Sequence, residues 1–351
     1  MTADSNHLPA LKGGLLALIA AALFGISTPL VQVWGKGLGA FTTAALLYAG
    51  AAAAGALSRR AATHEAQLRK ADIPRLLWMA LFGAALGPVA LAWGLQHTSG
   101  ASASLMLTLE AFFTATLSWW LYKETMDQRV WSALLLLLAG GVALVLDQGL
   151  QGNAQLLGLL AVLAATAAWG VDSALSRGLA ERDPSQVVMA KATIGSAATT
   201  ALAVATGEPV PTVLAATGLL AVGATGYGLS LRFYLLAQRA IGAARTGSVF
   251  SFAPFIGAAV AFGFGDRTAG WLMVAGGMLM LAGVALHLAE SHLHQHAHDA
   301  IEHEHAHSHD DGHHLHWHDQ PPQGSHSHSH THDATIHSHP HAPDAHHQHR
   351  H

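Results

Sequence analysis

Ala101–Thr125, ASASLMLTLEAFFTATLSWWLYKET, is apolar over a full membrane crossing and yet carries Glu110 near its middle. A helix needs ~20 largely apolar residues to span the hydrocarbon, and Gly100 to Tyr122 supplies them before Lys123 and Glu124 mark an exit. The stretch has a counterpart in Gly242–Thr268, GAARTGSVFSFAPFIGAAVAFGFGDRT, which begins 142 positions after Gly100. In that register Gly100-Ala101 falls on Gly242-Ala243, and Glu124 falls on Asp266. The chain reads as a duplication.

Composition agrees with a membrane protein. Of 351 residues 51% are hydrophobic and only 11% are charged, the distribution of a polytopic chain rather than of a soluble core. Cysteine is absent, which excludes disulfides, thiolate metal sites and thiol nucleophiles. Histidine is the anomaly: of 27, only His7, His64 and His97 precede residue 287. The formal charge of −4 conceals two opposite parts, since the body is basic while the tail sets Arg350 alone against nine acids.

Apolar runs place spans at 13–34, 39–57, 75–96, 100–122, 129–147, 155–177, 187–206, 212–237, 241–264 and 269–288. The expected fold is therefore an all-α polytopic membrane protein of ten transmembrane helices. It divides into a short segment 1–10, a first five-helix unit 11–148, a second 152–289 and a tail 290–351. From a cytoplasmic amino terminus, the inner loops collect the Lys and Arg residues, Arg177 and Lys191 among them, and only Lys36 and Arg267 fall outside. Basic residues near span ends fix orientation, so both termini are expected inside the cell, in the cytoplasmic membrane. Five spans per unit then make the two units inverted repeats, which place a binding site near the midplane at their interface.

Phe24-Gly25-Ile26-Ser27 aligns with Trp169-Gly170-Val171-Asp172, and Leu138-Ala139-Gly140-Gly141-Val142 is similar to Leu279–Val284. A small-residue helix start, an apolar run with Glu-Pro or Pro at its middle, an acid at the exit and then a Gly-rich span together resemble the EamA repeat of the drug/metabolite transporter superfamily. Ala103–Val145 carries the pattern once and Arg245–Leu286 again. The resemblance implies a carrier, not an enzyme, and a substrate drawn from amino acids, sugars, nucleotides or other metabolites. Ala111-Phe112 stands where a proline often stands in that repeat.

Glu110 and Asp172 are the acids inside the spans. A charge at mid-bilayer costs ~2.5–3.5 kcal/mol on insertion scales, so each acid should face the bundle interior and titrate or bind a cation. Ser27 is related to Asp172 by the repeat and is a candidate for the same cavity. Two readings of Asp172 stay open: a cavity ligand, or a partner for a snorkelling Arg177. His97, at the outer end of the third span, is a candidate last ligand on an exit route or a residue of a polar turn. Trp34, Trp93, Trp119, Trp120 and Trp131 fall near span ends and read as interfacial belt residues.

The tail alternates histidine with Ser, Ala, Asp or Glu. His292, His294, His296 and His298 form one run, and His303, His305, His307 and His309 a second. His313, His314, His316 and His318 follow, then His326, His328, His330 and His332. With no apolar period, the tail is expected to be disordered without ligand. A flexible chain wraps two to four imidazoles around one ion, and imidazole with carboxylate suits nickel, cobalt, zinc or Cu(II). The chain thus resembles EamA-type carriers of nickel and cobalt resistance systems with His-rich ends. That resemblance implies a metal exporter, with Ni, Co or Zn as substrate or tail ligand and no cofactor required. The expected partners are the lipid bilayer and metal ions, not nucleic acid, and a homodimer stays open. Two alternatives remain: an exporter of a small organic solute with a regulatory tail, and a membrane-tethered metal store or sensor.

Overall fold

The computed structural model describes residues 7–58, 66–122, 126, 128–179, 182–241, 243–267, 270–288, 292–298, 301–307, 326–332 and 335–341. Among them eight helices are long and apolar enough to cross a membrane, and two shorter apolar helices follow, Ala253–Gly263 and Trp271–Leu286. The ninth and tenth expected spans therefore correspond to shorter helical pieces.

The first two helices are α1 (His7–Trp34) and α2 (Ala40–Leu57). The third span is composite: α3 (Ile73–Met79), a π-helical turn at Ala80–Leu86, and α4 (Gly87–Gly94). The fourth is broken too, into α5 (Gly100–Met106), a 3-10 turn at Leu107–Leu109 and α6 (Glu110–Tyr122). Next come α7 (Gln128–Gln151), α8 (Asn153–Ser176) and α9 (Pro184–Ala205), all continuous. A second π turn, Gly223–Leu229, joins α10 (Val213–Val222) to α11 (Ser230–Ile241). The body ends with α12 (Ala243–Phe250), α13 (Ala253–Gly263) and α14 (Trp271–Leu288).

The interruptions recur at the repeat distance. Both π turns are seven residues long, and they begin 143 positions apart, at Ala80 and Gly223. The 3-10 turn before Glu110 has its counterpart at Ser251-Phe252, ahead of α13 with Pro254 in its first turn. Irregular backbone at membrane depth survives only where protein re-satisfies the freed groups, so each interruption marks the bundle interior.

Packing joins the halves directly. α2 lies on α9 and α7 on α14, while α1 meets α11 and α4 meets α8. Small residues make the close approach, as in membrane helices generally. A Cβ on Gly223 would lie against the Leu47 backbone, 2.7 Å from its Cα. The halves also cap each other. The Glu208 carboxylate accepts from the amides of Phe41 (3.1 Å) and Thr42 (2.7 Å) at the start of α2, and Asp266 accepts from Ala101 N (3.0 Å) at the start of α5. An acid there neutralises the positive end of the helix dipole.

Trp34, the last residue of α1, is half-buried and packs on the core against Gly218. One expectation is corrected. The tail is not wholly without structure: β1 (His292–His298) pairs antiparallel with β4 (Thr335–His341), and β2 (Ile301–His307) with β3 (His326–His332). An alternation of period two is what an extended strand accommodates, and the register sets His294 opposite His339 and His305 opposite His328. His309, His313, His314, His316 and His318 lie outside the described residues.

Gly223→Val should force α2 and the second π turn apart and lower stability by about 1–3 kcal/mol, the usual cost of overpacking. Gly149→Ala, where nothing lies within 4 Å of the new methyl, should be neutral or stabilising. Melting followed by size-exclusion in detergent distinguishes the two outcomes.

Candidate functional site

The site is built on one face of α8. Trp169, Asp172 and Ser173, at i, i+3 and i+4, point the same way, and each reaches a different element. The Trp169 indole donates to the Gly83 carbonyl at 3.0 Å, and the Ser173 hydroxyl donates to Glu110 Oε1 at 2.7 Å. Asp172 Oδ2 accepts from Lys191 Nζ of α9. The three contacts tie α8 to the π turn, to the first residue of α6 and to α9.

Gly83 is central because it occupies the π turn. The Gly83 carbonyl accepts from both the Tyr48 hydroxyl and the Trp169 indole. Its missing side chain leaves room for Asp172, whose Oδ1 would lie 2.8 Å from any Cβ placed there. The arrangement recurs across the repeat. Gly226, 143 positions after Gly83, packs on Ser27, the repeat partner of Asp172.

Glu110, Asp172 and Lys191 line one cavity of about 100 Å³. Its walls are aromatic. Phe24 lies edge-on to Trp169 and Tyr227 with centroids 5.9 and 5.8 Å away, and Phe250 sits 5.4 Å from Phe24 and 5.0 Å from Tyr234. Asp172 and Lys191 are 8% and 5% exposed, so the ion pair is buried. Removing either partner from such a pair leaves an uncompensated charge and typically costs ~3–5 kcal/mol. Asp172 Oδ1 is buried without a hydrogen-bond partner. One carboxylate oxygen is committed to lysine, and the lone pairs of the other are unsatisfied.

The remaining candidates are placed elsewhere. Ser27 is buried behind Gly226, with its hydroxyl donating to the Phe24 carbonyl at 2.6 Å. His97 stacks on Trp93 and donates from Nδ1 to the Trp93 carbonyl at 2.8 Å. It lines a separate cavity with Gln32, Gln96, Gln155 and Asp266. The Arg177 side chain lies outside the described ones, and the partner that Asp172 shows is Lys191. Among the described residues no three of His, Asp, Glu and Cys form a metal-holding group.

Lys191 is the residue that sequence reasoning misses, because it was counted with the inner loops. Its signal was its position, seven residues beyond Pro184 and flanked by Val187-Val188-Met189-Ala190 and Ala192. That depth is about 10 Å into the helix at 1.5 Å per residue.

The family model described as the EamA-like transporter family matches residues 11–146 and again 156–289. A protein of Methanothermobacter thermautotrophicus described as an uncharacterized transporter is 27% identical over 227 residues, 63% of this chain. The chain spans 66% of that relative's length. A solved crystal structure superposes with a TM-score of 0.58 at 19% identity, covering 78% of this chain and 94% of the other, a likeness of fold.

Tyr48→Phe and Trp169→Phe each leave Gly83 with one donor, so each alone should cost about 0.5–1.5 kcal/mol. The double variant orphans a buried carbonyl and should cost more than the two losses added. A double-mutant cycle on the melting transition measures the excess.

Proposed function

Because the chain belongs to the EamA-like transporter family, we propose that it exports a divalent transition metal ion, nickel or cobalt above all, across the cytoplasmic membrane in exchange for protons. The observation that carries this reading is that Glu110 and Asp172, acids from the two matched halves, line one cavity. Two carboxylates completed by water hold a divalent ion without trapping it, and a transport site must release what it binds. Oxygen ligands do not choose the metal by themselves. Selection and loading belong to the tail, where 23 of the 27 histidines lie and the backbone register brings histidine opposite histidine.

In the proposed cycle, two inverted five-helix units, ten crossings in all, rock about the shared cavity. Both termini lie inside, so the tail raises the local metal concentration at the inner mouth. The ion moves to Glu110 and to the unpartnered oxygen of Asp172. Protons entering from outside then neutralise Glu110 and release the ion, and the carrier turns back empty of metal. The polar cavity that contains His97 and Asp266 serves as the outer vestibule.

A second reading follows from Lys191 and the aromatic walls. A cavity with an ammonium, two carboxylates and six aromatic side chains also suits a small zwitterion such as an amino acid, whose carboxylate would meet Lys191 and whose amine would meet Glu110. The tail would then regulate the carrier.

Inside-out vesicles are expected to accumulate labelled nickel under an imposed pH gradient and to stop when a protonophore is added. Glu110→Gln should reduce the initial rate more than tenfold. Removal of residues 290–351 should raise the nickel concentration needed for half-maximal rate and leave the maximal rate nearly intact. Wild-type rates from Glu110→Gln would refute the site, and accumulation of labelled amino acids instead of nickel would establish the second reading.

A further inference from the structure

We propose that Lys191 is the built-in cation of this carrier: its ammonium occupies Asp172 when cargo is absent, and incoming cargo takes Asp172 by displacing it. The inference rests on the transport reading above and deepens it by adding the empty half of the cycle.

Three observations support the assignment. The pair is buried in the cavity wall rather than at a helix end, where a lysine needs no partner. The pair is also incomplete, because Asp172 Oδ1 has no hydrogen-bond partner although it is buried. A purely structural pair is stabilised by satisfying its remaining lone pairs, so a buried, unpartnered oxygen on a side chain of the cavity wall points to a ligand position. Finally, Lys191 stands on α9, a different element from Asp172 on α8, and a long flexible stem lets the ammonium swing away without any helix moving.

The consequence is electrostatic. An alternating-access carrier must turn over both loaded and empty, and an unpaired carboxylate inside the bundle would oppose the empty turn. Lys191 removes that obstacle. With cargo bound, the ammonium is released and the positive charge at Asp172 is that of the cargo. The pair therefore sets a competition between an internal cation and an external one.

The test compares two transport modes of the full-length protein in proteoliposomes, with Lys191→Gln, Lys191→Arg and wild type. Net nickel efflux requires the empty turn, whereas exchange of internal for external labelled nickel does not. Lys191→Gln should lose most net efflux, at least tenfold, and keep exchange. Its nickel dissociation constant, read by calorimetry, should fall because the competitor is gone. Lys191→Arg should recover net efflux. Equal loss of both modes in a Lys191→Gln variant that reconstitutes as folded, monodisperse protein at the assay temperature, or an unchanged dissociation constant, would overturn the proposal.

If wild-type protein moves no nickel, the metal reading fails separately. The same two modes are then run with labelled amino acids, whose amine would compete for Asp172. Exchange retained without net flux in Lys191→Gln supports the built-in cation, and parallel loss overturns it.

Discussion

An acid and an ammonium that have left water must stay together, and the centre of this molecule is arranged around that requirement. Each buried ion loses several kcal/mol of hydration, which the partner and its surroundings must return. Asp172 meets the requirement through Lys191 and through the space left by Gly83. The π turn that presents Gly83 is fixed in turn by Tyr48 and Trp169, both donating to one carbonyl. Four elements thus depend on one charge pair, and the Ser173 bond to Glu110 extends the network to a fifth.

Irregular backbone is the means by which the fold meets this requirement. A continuous helix consumes its own carbonyls and offers a cavity only side chains. A π turn widens the helix and leaves a carbonyl free for donors from neighbouring helices. A 3-10 turn ahead of Glu110 similarly places the acid at the start of α6, where the dipole of that short helix favours negative charge. Both features occur at membrane depth only because the packed halves shield them from lipid.

Much of this was legible in the sequence, for definite reasons. The spans follow from apolar length, and the duplication from the match of Gly100–Glu124 with Gly242–Asp266. Glu110 and Asp172 stood out because acids are costly in hydrocarbon. Lys191 did not stand out, because a lysine stem can reach the interface from well inside a helix, and nothing local reveals that its target is nineteen residues earlier. The π turns left a faint trace, since ALFGAAL and GATGYGL each carry glycine at the fourth position. Glycine is common in membrane helices, so that coincidence acquires meaning only when Asp172 and Ser27 are seen against those two positions. The strands of the tail are not foreseen, because the expectation of disorder follows from the lack of an apolar period, although a polar alternation of period two also suits a strand.

The repeat also accounts for the asymmetry of the site. Gly83 and Asp172 on one side correspond to Gly226 and Ser27 on the other, and Lys191 lies 143 positions after Tyr48. The second copy therefore presents acid and ammonium where the first presents serine and tyrosine. Two charged copies facing one small cavity would set like charges against each other at low dielectric, a cost that rises steeply as distance falls. Keeping the acid–ammonium pair in one copy avoids that repulsion. The first copy adds Glu110 and part of the aromatic surface, through Phe24 and Tyr48, which meet Trp169 and Tyr227 across the interface. One acid from each copy with a single ammonium makes the polar wall of the cavity, and aromatic side chains from both copies make the apolar one, so the duplicated scaffold provides both kinds of surface without repeating the ammonium.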